Sequence, residues 1–333
     1  MGQGRTPKRT RPHHGSSAHS PGEPTLPLVT PAPVRPREAA PRRVFLTGAT
    51  GFVGREVRRQ LLAAGWEVVA IARHMSAATA APGVIQVAAD INGDAWPRWC
   101  EGCTAAIHLV GIIRELPNQG VTFDRVHRAA TERVVAACKE LGISRLVHMS
   151  ALGARRGALT GYQRTKWAAE EAVRTSGLAW TILRPSVIFG PGDGFTTSLA
   201  APLKRAPFFP VFGDGRVRLQ PIAVSEVARA FVRSLESPAS VSQVIEIGGP
   251  ETLTYDELLR RTAGALGRRP VFVHLAPGLS RALVAMLQLV PGAPITRDQL
   301  AMLFEGSTCD TTLSAELFGP ALIRFEGPTW LSS

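Results

Sequence analysis

The chain has 333 residues, a formal charge of +12, and 34 Arg against 4 Lys. Apolar residues make up 45% and charged residues 19%, enough to bury a sizeable core, so a wholly disordered or fibrous chain is excluded. No run of 18 apolar residues occurs, which excludes a membrane-spanning helix, and four cysteines are too few for a disulfide scaffold, so a reducing compartment, the cytoplasm, is the default.

Residues 1–42 stand apart. The first 43 residues hold nine prolines and eight Arg or Lys against two Glu. Such a segment has no periodic apolar pattern with which to offset its ordering entropy, and it reads as an extended basic tail. A transit peptide or a misplaced start codon are the other readings, although no amphipathic helix can be drawn through so many prolines. Half of the excess charge sits in this stretch. The remainder is about +6, which gives no argument for nucleic-acid binding.

From Arg43 the texture changes. Val44-Phe45-Leu46 is a short apolar strand, and Gly51 to Ala64 reads as a helix. Between them lies Thr47-Gly48-Ala49-Thr50-Gly51-Phe52-Val53-Gly54. Gly48 permits a tight turn, Gly51 lets backbone amides approach a pyrophosphate, and Gly54 allows the helix to pack closely on the strand. The helix start adds free amides and the positive end of its dipole. A glycine triplet alone is weak evidence. Here it follows a strand and opens a helix, which is the context a dinucleotide site needs.

Glu67 to Ala72 is a second strand and ends on Arg73-His74. No carboxylate stands there to bond an adenosine ribose, and Arg73 is suited to a 2′-phosphate, which favours NADP(H) over NAD(H). A solvated surface Arg is the plainer reading. Val84 to Ala88 is a third strand, after which Asp90-Ile91 is placed to meet an adenine or to form an Asx-turn. Cys100 and Cys103 form a Cys-x-x-Cys that reads as two small buried thiols, since no further ligands stand at metal-site spacing. Ala105 to Val110 is a fourth strand, Thr122 to Leu141 a long helix, and Arg145 to Met149 a fifth strand. Gly161 to Ser176 is a helix and Trp180 to Arg184 a sixth strand. Strands alternating with helices, each strand a nearly continuous apolar run, predict a Rossmann-type α/β fold with a doubly wound parallel sheet.

After Gly190 the pattern breaks into Gly- and Pro-rich loops with short helices. Val224 to Leu235, Tyr255 to Leu266 and Leu279 to Val290 look helical, and Val244 to Ile247 is a strand. The apolar stretch Phe208 to Phe212 reads as a loop that packs in the core or lines a pocket. The expected organisation is a tail at 1–42, a nucleotide-binding domain at 43–250 with a loop insertion around 191–222, and a smaller C-terminal cap at 251–333.

The chain has only two tyrosines and four lysines, yet Tyr162 and Lys166 fall four apart on one face of a predicted helix. Ser150 closes the preceding strand. A free phenol is too weak an acid to work near neutrality, and an adjacent ammonium favours the phenolate, so this spacing predicts a lowered Tyr162 pKa. A surface Tyr and Lys without a catalytic role is the plain alternative.

With these residues the chain resembles the short-chain dehydrogenase/reductase superfamily, in its extended or atypical, NAD-dependent epimerase/dehydratase-like branch. The resemblance covers about Arg43 to Leu317. Its marks are TGATGFVG (47–54), HLVG (108–111), HMSALGA (148–154), the Tyr162/Lys166 pair and RPSVIFGPGD (184–193). More narrowly, the run from Ala105 onward, with IGGPETLTYDEL (247–258), is similar to bacterial relatives of the complex I alpha-subcomplex subunit nine family.

The resemblance implies a nucleotide site that includes Phe52, Val53, Leu109 and Gly111 beside Gly48, Thr50, Gly51, Gly54, Arg73, Asp90 and Ile91. Pro185 and Val187 would line the nicotinamide. Tyr162 would be the acid/base, Lys166 its partner and Ser150 the group that orients a carbonyl. Two positions depart from the pattern. His127 stands where many relatives carry a relay Asn, and Ala223-Val224-Ser225-Glu226 replaces a common His-Val-x-Asp. Loss of that His argues against an epimerase-type sugar site. Two functions follow as expectations. One is an NADP(H)-dependent oxidoreductase acting on a carbonyl or quinone-like small molecule. The other is a nucleotide-binding accessory protein, peripheral at the inner face of a membrane on a respiratory complex, that binds without turnover.

Overall fold

The computed structural model describes residues 42–75, 77–289 and 295–331, together with Met1. The chain divides into two units, Met1–Ala40 and Pro41–Ser333. The segment expected to be a tail lies outside the described residues, and the second unit carries everything that follows.

Its first half consists of β1 (Arg43–Thr47), α1 (Phe52–Ala63), β2 (Glu67–Ala72), β3 (Val84–Ala88), β4 (Ala105–His108), α2 (Ala130–Glu140), β5 (Arg145–Met149), α3 (Gly161–Arg174) and β6 (Ala179–Pro185). Next come β7 (Ile188–Phe189), α4 (Gly194–Arg205), β8 (Phe208–Phe212), β9 (Arg218–Leu219), β10 (Ile222–Ala223), α5 (Val224–Glu236) and β11 (Gln243–Ile247). The remainder is β12 (Leu253–Thr254), α6 (Tyr255–Ala265), β13 (Val271–Leu275), α7 (Pro277–Leu287), α8 (Arg297–Glu305) and α9 (Thr312–Phe318).

Seven strands form one parallel sheet in the order β11-β6-β5-β4-β1-β2-β3. Side chains alternate across it, as the strand period requires. Val44 and Leu46 pack with Val53, Val57 and Leu61 of α1 and with Phe231 of α5. Phe45 points the other way, against Trp96, Val134 and Leu146. All three strand residues are fully buried. Each such side chain contributes about 1.5–3 kcal/mol relative to exposure. Cys100, Cys103 and Cys138 fill the second of these cores, where burial raises each thiol pKa and leaves them inert apolar fillers.

The helix carrying Tyr162 is fixed to the sheet by charge. Glu170 of α3 is fully buried and accepts from Arg184 Nε and Nη2 of β6 at 2.8 Å each, and from Arg174 Nη2 at 2.6 Å. Breaking this arrangement would strand a charge in the interior.

The structure differs from the sequence reading mainly after Gly190. Phe208–Phe212 is a strand and not a loop: β8 pairs in parallel with β13, Phe208 opposite Val271. The predicted strand at 244–247 joins the main sheet as its seventh member beside β6. α4, α8 and α9 were not foreseen. α4 contains Pro202 near its end, a residue that reads as a breaker. α7 starts two residues before the predicted Leu279, with Pro277 at the first turn, where a missing N–H costs nothing. The proposed closing Pro291-Gly292 lies outside the described residues. The long predicted helix at 122–141 begins with wider π-helical turns at Asp124–Ala129 before α2.

Candidate functional site

The strand order reverses between β1 and β4, and a crevice opens there at the carboxyl ends of the strands. It is a groove of about 330 Å³ lined by Gly48, Thr50, Gly51, Arg73, Asp90, Ile91, Leu109 and Gly111, among others. Eight predicted nucleotide residues therefore share one cavity. Gly48 has φ +73°, a conformation that favours glycine. Gly54 lies beneath the groove, and a Cβ there would run into the Gly48 carbonyl oxygen. Gly51 caps α1, and neither a side-chain cap nor a first-turn carboxylate occupies the helix start. The amides there thus suit an anion.

Asp90 serves two partners. Its Oδ1 accepts from the Asn92 amide at 3.0 Å, the expected Asx-turn, and its Oδ2 pairs with Arg125 at 3.2 Å. At the end of β2 the groove presents Arg73 and His74.

A second cavity of about 490 Å³ lies beside the first, lined in part by Tyr162, Pro185 and Val187. The Tyr162 ring meets His127 edge-on at 5.3 Å and Phe123 at 5.8 Å. One turn along α3, Lys166 is 2% exposed, and its Nζ donates to the Met149 carbonyl at 3.0 Å. A Cβ on Gly111, a groove residue, would stand 3.0 Å from that Nζ and 3.7 Å from His127 Nε2. Tyr162 thus lines the second cavity, and Lys166, one turn along α3, stands beside Gly111 of the groove. Ser150 directly follows β5 and is 2% exposed, and its Oγ has no hydrogen-bond partner. That orphaned hydroxyl, with the glycine cradle and the bare helix start, is what a bound nucleotide and carbonyl would satisfy.

The electrostatics run against the expectation for Tyr162. Burial pushes its phenol up to about 12 and pulls Lys166 down to about 8. Desolvation outweighs the spacing, and the ammonium is turned to a backbone carbonyl. Below pH 8 Lys166 is charged in the folded and unfolded states alike, and its burial then costs on the order of 3 kcal/mol. Lys166→Met is accordingly expected to raise the melting temperature at pH 7. Calorimetric melting checks this, and a lower value would show the buried ammonium to be stabilising.

His127 is 1% exposed. Its Nε2 accepts from the Ile112 amide at 3.1 Å, and its Nδ1 lies 2.9 Å from Thr165 Oγ1. Burial, with the Lys166 charge as a second cause, holds it at about 2, so the ring is neutral.

Two residues that hold the start of α3 escaped the sequence reading. Asp298 of α8 accepts from the Gly161 and Tyr162 amides at 3.0 and 3.4 Å and so caps the start of α3. Glu305, also of α8, accepts from Gln163 Nε2 at 2.6 Å and pairs with Arg155. Both lie more than 130 residues from their α3 partners, and no local signal marks them.

Residues 44–248 match the model of the NAD dependent epimerase/dehydratase family. The chain is 31% identical over 245 residues to a ceramide reductase of Caulobacter vibrioides, covering 72% of this chain and 75% of that one. It is 29% identical over 283 residues to the mitochondrial NADH dehydrogenase (ubiquinone) 1 alpha subcomplex subunit 9 of Arabidopsis thaliana, covering 80% and 70%. Its fold is similar to UDP-glucuronic acid 4-epimerase from Bacillus cereus, solved in complex with UDP-glucuronic acid and NAD. There the TM-score is 0.66 at 18% identity, over 85% of this chain and 95% of that one.

Proposed function

Because the chain belongs to the NAD dependent epimerase/dehydratase family, we propose that it is an oxidoreductase in which a bound NADP(H) exchanges hydride with the carbonyl or alcohol carbon of a small molecule. The observation that carries this reading is the placement of this pair: Tyr162 lines the second cavity, and Lys166 stands beside Gly111 of the groove. Gly48, Thr50 and Gly51, with the first amides of α1 (Phe52, Val53), would hold the diphosphate. Asp90 and Ile91 would flank the adenine, and Leu109, Gly111, Pro185 and Val187 the nicotinamide. Ser150 Oγ, unpartnered, is free to donate to a carbonyl oxygen and orient it. The Tyr162 phenol, kept protonated by burial, would give its proton to that oxygen as it becomes an alcohol and recover one afterwards. Lys166 would hold ribose hydroxyls and stabilise the resulting phenolate. The reductases among the relatives support this chemistry.

Arg73 and His74 support the choice of NADP(H), since two potential cations stand at the end of β2 and the nearby Asp90 carboxylate is engaged by Arg125. Calorimetric titration tests it. NADPH should bind more tightly than NADH, and Arg73→Glu should cost NADPH at least about tenfold while sparing NADH, the expected size for a lost charge-assisted bond. Equal losses would remove the argument for the 2′-phosphate. Failure to bind any pyridine nucleotide would overturn the whole reading.

A second reading, a nucleotide-binding subunit that docks on a respiratory complex without turnover, is favoured by the high Tyr162 pKa and by the Lys166 contact with Met149. Similarity to the complex I subunits supports it.

A further inference from the structure

The second cavity is apolar nearly throughout. Phe195, Leu199, Phe209, Leu283, Met302 and Leu303 supply much of its wall. No Asp, Glu, Lys, Arg or His is among the described residues that line it. Its polar side chains are hydroxyls and amides, and most are already paired within the protein. Gln163 bonds Glu305, and the Gln299 carbonyl accepts from the Thr296 amide. Ser186 bonds Ser307 at 2.8 and 2.9 Å, and Ser198 Oγ donates to the Phe195 carbonyl. The hydroxyls of Tyr162, on the side toward the groove, and of Tyr255 are thus left as polar groups of an otherwise greasy chamber.

That lining decides between ligand classes. A sugar nucleotide would bring a diphosphate into a space with no cation to meet it, and burying an unpaired charge is costly. An alkyl chain gains with every methylene it buries.

The wall helix gives a second, independent observation. Leu283 and Leu287 of α7 line the cavity, while Leu279 and Met286 of the same helix are 58% and 67% exposed. The outward face of the β8–β13 pair adds Phe208 and Val271, opposite one another in register and 62% and 57% exposed. Scattered exposed apolar residues are ordinary, but here Leu279, Met286 and Phe208 lie on α7 and β8, which form part of the cavity wall, and Val271 lies on the strand paired with β8.

We infer that this cavity takes the hydrocarbon chain of an uncharged long-chain carbonyl compound, with the carbonyl directed to Tyr162. The inference rests on the oxidoreductase reading for the role of Tyr162, and on the cavity alone for the nature of the chain.

Displacement of Nile red by 2-octanone, 2-decanone and 2-dodecanone tests it, with and without saturating NADPH. The half-displacing concentration should fall on the order of tenfold for each two carbons added. UDP-glucuronic acid at millimolar concentration should displace nothing. Leu283→Glu should weaken 2-dodecanone at least about tenfold, as expected for a charge placed in an apolar wall. Met302→Gln, a milder change that keeps the volume, should weaken it in the same direction. Both variants should bind NADPH as the parent does, which shows that they fold. Displacement by UDP-glucuronic acid, a series flat in chain length, or variants that bind 2-dodecanone as the parent does would each overturn the inference. Failure of the two readings is distinguishable. Alkanone binding with the stated slope but no nucleotide binding sinks the oxidoreductase and leaves the cavity's ligand standing. Nucleotide binding with a flat alkanone series does the reverse.

Discussion

Tyr162→Phe should lower turnover of a medium-chain 2-alkanone by about 10²–10⁴-fold, the usual contribution of a positioned acid or base. The phenol lines the second cavity and lies one turn from Lys166, so its loss would remove the proposed proton donor and little else. Nucleotide affinity should hold, because the groove is built from other residues. The pH dependence has a definite sign. With the phenol at about 12, the reduction rate should be flat through neutrality, because the acid form is already present. It should decline as Lys166 loses its proton above about pH 8, when the phenolate left by proton transfer loses its cationic neighbour. Rates of NADPH oxidation for parent and variant between pH 6 and 9 check both points. Unchanged turnover in the variant would remove Tyr162 from the chemistry. A parent that binds NADPH tightly and turns over no carbonyl or quinone would leave the non-catalytic subunit as the better account.

A steep loss of stability below pH 6.5 is the second large effect. Three histidines are buried at or beside the carboxyl ends of the central strands. His108 and His148 are paired across β4 and β5, their rings stacked at 5.3 Å, and His127 lies beside Tyr162. Burial, with the Lys166 charge among the lesser causes, pulls His108 down to about 3, His127 to about 2 and His148 well below its ordinary value. The unfolded chain takes up protons at these positions near pH 6.5, and the fold refuses them, so stability falls as pH falls. Each histidine costs about 1.4 kcal/mol per pH unit, and the three together about 4. From pH 7.5 to 5 the three then remove about 6 kcal/mol, comparable to the whole stability of a typical domain. Urea midpoints measured from pH 7.5 to 5 should drop sharply. His148 has neither ring nitrogen bonded, so His148→Leu should shrink the slope by one proton and stabilise the fold at acid pH. Midpoints flat from pH 7 to 5 would mean that the interior accepts the protons.

The nucleotide-binding half was legible because its signals are local. Val44-Phe45-Leu46 followed by Gly48, Gly51 and Gly54 is one strand, one turn and one helix start in sequence, and the structure closes the groove around them. The Tyr162/Lys166 pair was visible for the same reason: a single helix turn separates them. The part of the chain after Gly190 was not legible. β8 meets β13 across some sixty residues, and parallel pairing leaves no hairpin signature. β11 joins the main sheet through a partner, β6, that the chain left behind two helices and four short strands earlier. The direction of the Tyr162 shift was misjudged because spacing reports neighbours, whereas burial belongs to the assembled fold.

One helix of the cap has two duties. Gln299, Met302 and Leu303 of α8 face the ligand chamber, while Asp298 and Glu305 grip the start of the reacting helix. Mutational drift that reshapes the chamber through α8 therefore works on the same scaffold that keeps Tyr162 aligned. A substitution at any of the three inward residues of α8 therefore acts on the helix that also holds α3, whereas Phe195 and Leu199 of α4, Leu283 of α7 and Phe209 of β8 line the cavity from elements that carry neither acid.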